Sequence, residues 1–249
     1  MKTHAYRSDP TAWFGQAALA SELVSRDLDE LSDVDLLRVW RWHGIGVLQR
    51  YVTSTPALES RLHVWSPKLE RPGIWESGSI HDHRFTLHSS VLAGALEHEE
   101  FTDISFTGDR FDHTQYVFPH ARIQDPDKPE EMRIVGFVRV RGAQRMVFGQ
   151  GMEYWFPAGA FHRSRAQGEL AVTFCVKHDQ QEARASVLAP SIETPVPAFQ
   201  KDALPEGVLR EVLTDAGAAL DEVVRTCLPW APMRGNELLS DLRTRRESP

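Results

Sequence analysis

Cysteine is almost missing from this chain. Cys175 and Cys227 are the two it has in 249 residues, too few for a disulfide framework. No signal-peptide pattern opens the sequence either, so the expected compartment is a reducing cytoplasm. No apolar run approaches the ~20 residues that a membrane-spanning helix needs, and no membrane partner is expected. Positive charge is also short: 28 Lys and Arg stand against 35 Asp and Glu, a formal net charge of -7. A nucleic acid or an anionic lipid surface asks for a basic face. The only basic cluster is Arg243, Arg245 and Arg246 in the tail, where a solvated chain end is the simpler reading. Repeats and low-complexity segments are absent. With 41% hydrophobic residues, the chain has enough apolar material for one packed core.

From Trp13 to about Thr53 the apolar spacing predicts mostly helix. Leu36, Leu37, Trp40, Val47, Leu48 and Tyr51 recur at helical intervals. Ser32 with Asp35 resembles a capping box, and Gly44 and Gly46 are places where that helix breaks. From about Arg61 the texture changes to short runs such as RLHVW, IHDHRF, SSVLAGALEHEEF, MRIVGFVRVRG and ELAVTFCVKH, many bounded by Gly, Pro, Asp or Ser. That pattern predicts an antiparallel barrel or sandwich. A Pro-rich, charged loop over residues 119–131 interrupts it as a lid or a surface excursion. After about Asp179 the chain reads as a linker, 195–207, and then a helical stripe of Leu209, Val212, Leu213, Ala216, Leu220, Val223 and Val224. A short last helix is predicted over 236–243. The organisation expected is a single domain over 1–249: a helical extension at 1–60, a barrel at 61–180, and a linker with C-terminal helices at 181–249.

Two segments carry candidate chemistry. IHDHRFTLHSSVLAG places His81 and His83 two apart on a predicted strand, so both imidazoles project from one face about 6–7 Å apart along the backbone. GMEYWFPAGAFH supplies a third candidate, His162. The pair resembles the two motifs of the cupin superfamily. The second is the fuller match: Gly151, Pro157, Gly159 and His162 fall at the family's spacing, with Pro-x-Gly as a tight turn that aims His162 inward. The first match is looser. His81, His83 and Gly94 are in place, and the leading Gly78 stands only two residues before His81. The resemblance covers about residues 61–178.

The family's glutamate has no counterpart. Counting back from Gly94 puts its place on Leu87; counting forward from His83 puts it on His88. The first choice implies a metal held by His81, His83 and His162, and the second adds His88 as a fourth ligand. Registering the strand on Gly94 favours Leu87. Three neutral imidazoles leave a divalent ion its full charge and leave coordination positions open, which favours an anionic, chelating substrate. Among cupins, this ligand set resembles the three-histidine non-haem iron dioxygenases. What the resemblance implies is a mainly β fold, a cupin-type antiparallel barrel or jelly roll with α-helical N- and C-terminal extensions. It further implies Fe(II), a small polar substrate and O2. Spacing alone does not separate iron from nickel, manganese, copper or zinc. The strand after His162 places Thr173, Cys175 and Lys177 on one face, where thiol dioxygenases carry Ser-x-His-x-Tyr, and a thiol substrate does not follow.

Other candidates are substrate contacts. Arg84 adjoins the ligand pair but alternates to the opposite face of its strand. Arg139 could clamp a carboxylate, against the simpler reading of a solvated strand face. Tyr154, Trp155 and Phe156 alternate before the Pro turn, so at least one faces the pocket, with packing as the default role for Tyr154. Edge strands left open by a barrel favour pairing into a homodimer. The rival functions are a non-redox metal-dependent cupin (isomerase, lyase or hydrolase) and a small-molecule-binding barrel.

Overall fold

A computed structural model describes residues 3–43, 45–54, 59–69, 80–102, 104–105, 111–117, 133–179, 185–190, 204 and 207–227. The predicted loop at 119–131 and the predicted helix at 236–243 lie outside these residues, as does most of the linker at 195–207. The chain begins with strand β1 (His4–Arg7) and helices α1 (Pro10–Glu30) and α2 (Asp33–Val39). Strands β2 (Trp40–His43), β3 (Val47–Ser54), β4 (Glu59–Trp65) and β5 (Ile80–His81) follow. Then come β6 (Thr86–Phe101), β7 (Ile104–Ser105), β8 (His113–Val117), β9 (Arg133–Val140) and β10 (Ala143–Gly149). The series closes with β11 (Met152–Phe156), β12 (His162–His178), β13 (Ser186–Pro190) and helix α3 (Val208–Cys227). The fold is mainly β, an antiparallel barrel with helices before and after it.

The helix expected to run through Leu36 to Tyr51 ends at Val39. Ser32 does cap its start, accepting from the Asp35 backbone N–H. From Trp40 the chain becomes a hairpin, β2 against β3, turned at Gly46 with a φ of 80°. Trp40, Trp42, Val47, Tyr51, Val52 and Thr53 are aromatic or β-branched, and β4 offers a partner strand in register from Val47↔Trp65 to Ser54↔Glu59. Pairing with that partner outweighs the three-four spacing, which a strand buried on both faces can mimic.

Two cores flank the wall made by β3, β4, β12 and β6. On the outer face, Leu48, Leu62, Val64, Leu92 and Val172 meet α1 and α3 through Trp13, Ala17, Val24, Leu209, Leu213 and Leu220. The stripe read along α3 is this contact, with Val224 only partly buried. On the inner face Val47, Trp65, Leu87, Val91, Leu96, Tyr154, Phe156, Ala171 and Cys175 fill the barrel. The inward residues of β6 are odd-numbered up to Val91 and even-numbered from Leu96 on, because the pairing with β12 shifts between Val91 and Ala93 and again between Gly94 and Leu96.

One ion pair pins helix to wall. The Asp27 carboxylate on α1 accepts from Trp40 Nε1 at 3.0 Å, from Arg50 Nε at 2.5 Å and from Arg50 Nη2 at 3.1 Å. Its side chain is 4% exposed and that of Arg50 11%. Asp27→Ala leaves the arginine charge buried and unpaired, so the expected loss is about 3–5 kcal/mol, a fall in Tm on the order of 10 °C by calorimetry. A loss under about 1 kcal/mol would show that water reaches Arg50 freely. No helix among the described residues is long and apolar enough to cross a membrane.

Candidate metal centre

The structure brings His81, His83 and His162 together. One ligand atom from each lies within 4.8 Å of the others, the single such group of His, Cys, Asp and Glu among the described residues. His81 ends β5 and pairs in register with His162 at the start of β12. His83 is not on that strand: β5 stops at His81, and His83 lies in the link to β6. The two still converge, Nε2 to Nε2 at 3.2 Å. Nitrogens about 2.1 Å from a shared ion at octahedral or tetrahedral angles stand about 3.0–3.4 Å apart.

Backbone contacts hold these loops. The Gly159 N–H, in the Pro-x-Gly turn, donates to the His83 carbonyl at 2.7 Å. Gly159 has a φ of 77°, which glycine adopts without strain. The turn of one motif is thereby tied to a histidine of the other. Between the histidines, Asp82 holds β13: its N–H donates to the Ser186 carbonyl at 3.0 Å and its Oδ1 accepts from the Ser186 N–H at 2.5 Å. His162 Nδ1 lies 2.9 Å from the Ala160 carbonyl. A carbonyl only accepts, so Nδ1 carries the proton and Nε2 keeps its lone pair for a ligand.

The donor set suits a divalent ion. Burial, aided by the neighbouring histidines, holds His83 and His162 well below the ordinary imidazole range, hence neutral, as metal ligation requires. His83 Nδ1 is buried without a hydrogen-bond partner. Phe156 packs 4.1 Å from the His162 ring and Phe85 stacks 4.7 Å from the His83 ring, walling the nitrogens with carbon.

The residues disputed for the glutamate's place part company. Leu87 faces the barrel and is 5% exposed. His88 points outward, its Nε2 2.6 Å from the Tyr6 hydroxyl and 3.2 Å from Glu153 Oε2. Arg84 sits half-buried in the bend after His83. Arg139 alternates with Val138, which is fully buried among Ile80 and Leu188, and its charge acts on Asp112. Tyr154 is 2% exposed and stacks 4.4 Å from Phe148. Burial pushes its hydroxyl up, with a hydrogen bond to Ser89 opposing. Its contacts are packing ones, and of the three residues before the turn it is Phe156 that lies against His162.

Two histidines escaped the sequence reading. His98 on β6 is fully buried, with its ring 5.2 Å from that of His162. Its Nδ1 meets Ser164 Oγ at 2.9 Å, its Nε2 has no partner, and burial pushes it down to about 3. Its inward aim depends on the register shifts between Val91 and Leu96, which the sequence does not specify. His63 on β4 faces the same interior, with Nδ1 3.3 Å from Cys175 Sγ. Alternation in RLHVW could have flagged it, since Leu62 and Val64 take the other face.

No protein-family model matches the chain, and no curated protein matches it. Solved structures do resemble it. A cupin-2 domain protein from Shewanella frigidimarina is 12% identical over 62% of this chain and 99% of its own, with a TM-score of 0.29. Hydroquinone 1,2-dioxygenase from Sphingomonas, solved with 4-hydroxybenzoate, is 14% identical over 53% and 67%, with a TM-score of 0.30. DMSP lyase DddQ from Ruegeria pomeroyi is 10% identical over 73% and 81%, with a TM-score of 0.33. Scores at this level bear on neither activity nor substrate, and the case for a metal centre rests on the convergence of His81, His83 and His162.

Proposed function

We propose that this chain is a metal-dependent cupin whose activity is that of a mononuclear non-haem iron oxygenase acting on a small, polar, chelating substrate. The observation that carries the reading is the triad: three imidazoles, two of them 3.2 Å apart at Nε2, with Leu87 rather than a carboxylate turned toward the barrel. A ferrous ion held there would keep its full charge and supply redox chemistry toward O2. The protein's part is placement. His162 is oriented by Ala160 and His83 by Gly159, and Phe85 and Phe156 keep water from the nitrogens.

Oxygen-electrode measurements on the Fe(II)-loaded chain, run against a panel of small hydroxy- and keto-carboxylates and diphenols, test this. O2 uptake that needs both iron and one of these molecules is the expected result. Substrate consumption at an equal rate under argon would replace it with a non-redox lyase, isomerase or hydrolase, in which the ion only polarises a carbonyl.

A further inference from the structure

The inner face of the barrel wall carries a polar row that the triad does not use. Arg61 and His63 on β4 face inward, since Leu62 and Val64 between and beyond them pack on the helices. On β12, Cys175 and Lys177 take the same face, opposite Arg61 and Glu59 in register. Arg61 is largely engaged on this wall: Nη1 donates to Gln49 Oε1 at 2.8 Å and Nη2 to the Tyr51 hydroxyl at 2.7 Å, and Nη2 forms an ion pair with Glu59 Oε1 at 2.6 Å. Lys177 is not. Its Nζ lies 2.5 Å from the same Glu59 oxygen and 4.1 Å from the centre of the Phe85 ring. These are its only partners among the described residues, an ion pair and a ring contact, so its three N–H donors are left with at most one acceptor between them.

Two cations therefore share one carboxylate, and the candidate metal ligands beyond them are histidines that bring no negative charge. Lys177 remains 16% exposed at its side chain. Phe85 connects it to the metal centre, with the His83 ring stacked 4.7 Å from the same phenyl ring. His63 Nε2 and Arg61 Nε are also buried without partners, so unmet hydrogen-bonding capacity gathers along this row. Burial and the Arg61 charge push Lys177 down to about 8, as expected of an ammonium short of counter-charge.

We propose that Lys177, backed by Arg61, anchors the anionic end of the substrate, a small molecule with a metal-chelating head and a carboxylate that pairs with the Lys177 ammonium. The chelating head rests on the metal-centre reading; the anchor does not. The test is therefore run first without metal. The metal-free full-length chain is titrated calorimetrically with malate and with malamide, its uncharged twin. Malate should bind at least tenfold more tightly than malamide, and added NaCl should weaken malate alone. Lys177→Gln should lose that preference and Lys177→Arg should keep most of it, with thermal melts confirming that both variants fold. Equal affinities for malate and malamide, or a malate affinity unchanged in Lys177→Gln, would overturn the anchor. Metal loading is scored separately. Malate binding in a chain that takes up no ion would remove the metal-centre reading and leave the anchor standing. A loaded ion with no preference for malate would do the reverse.

Discussion

His162→Ala and His81→Ala are each expected to abolish stoichiometric metal binding, while His88→Ala leaves it intact. Iron-loaded chain passed through gel filtration and analysed for metal should hold about one ion, and the two triad variants essentially none. Among the described residues the triad has no spare ligand. Losing an outer partner of a metal-bound histidine already costs ~10–100-fold in affinity, and losing the histidine itself costs more. His88, held outside the barrel by Tyr6 and Glu153, should contribute nothing. Retention of the ion in His162→Ala, or its loss in His88→Ala, would reject the three-histidine assignment. Folding is checked through linkage. An ion bound at ~100 times its Kd stabilises the native state by about 2.7 kcal/mol, so stripping it should lower the Tm of the wild-type chain. In His162→Ala the chelator should have no such effect.

How much of this was legible in the residues depended on which physical signal each position carried. Pro157, Gly159 and His162 form a local turn whose geometry is set within a few residues, so the meeting of His162 with the His81 segment could be anticipated. The α3 stripe was legible because an exposed helix shows one apolar face: Leu209 to Val223 are buried, and Glu211 and Asp215 reach out to Lys68. Trp40 to Ser54 misled because β3 is buried on both sides, and its apolar residues fit a period of 3.6 as well as 2. His63 and His98 went unseen for a related reason. Which face a strand residue takes is decided by the sheet and its bulges, and a one-residue slip reverses it. The site residues fixed by local turns were readable, and those fixed by long-range register were not.

Gly94 sits between the two places where that register shifts, at a close approach of β6 to β12, which makes Gly94→Ala the most destabilising single methyl expected in the barrel. Gly94 has a φ of 71°, and an added Cβ would sit 2.1 Å from the Leu170 carbonyl oxygen and 3.2 Å from Ala171 Cα. Both atoms are backbone of β12, the strand that runs on from His162, and no rotamer change relieves the overlap. Backbone strain of about 1–3 kcal/mol adds to a packing clash of about 1–3 kcal/mol, a total of roughly 2–6 kcal/mol. Gly151 is the control. Its φ is 77°, yet an added Cβ meets nothing within 4 Å, so Gly151→Ala should cost only about 1–2 kcal/mol of strain. Urea melts of the two variants read the difference. Equal losses would mean that the strands do not approach closely at Gly94. The larger loss should also reach the metal centre, because β6 and β12 can part there only by shifting Leu87 and His98 against His162. Iron retention in Gly94→Ala should therefore fall under conditions where the chain is still folded, and in Gly151→Ala it should not.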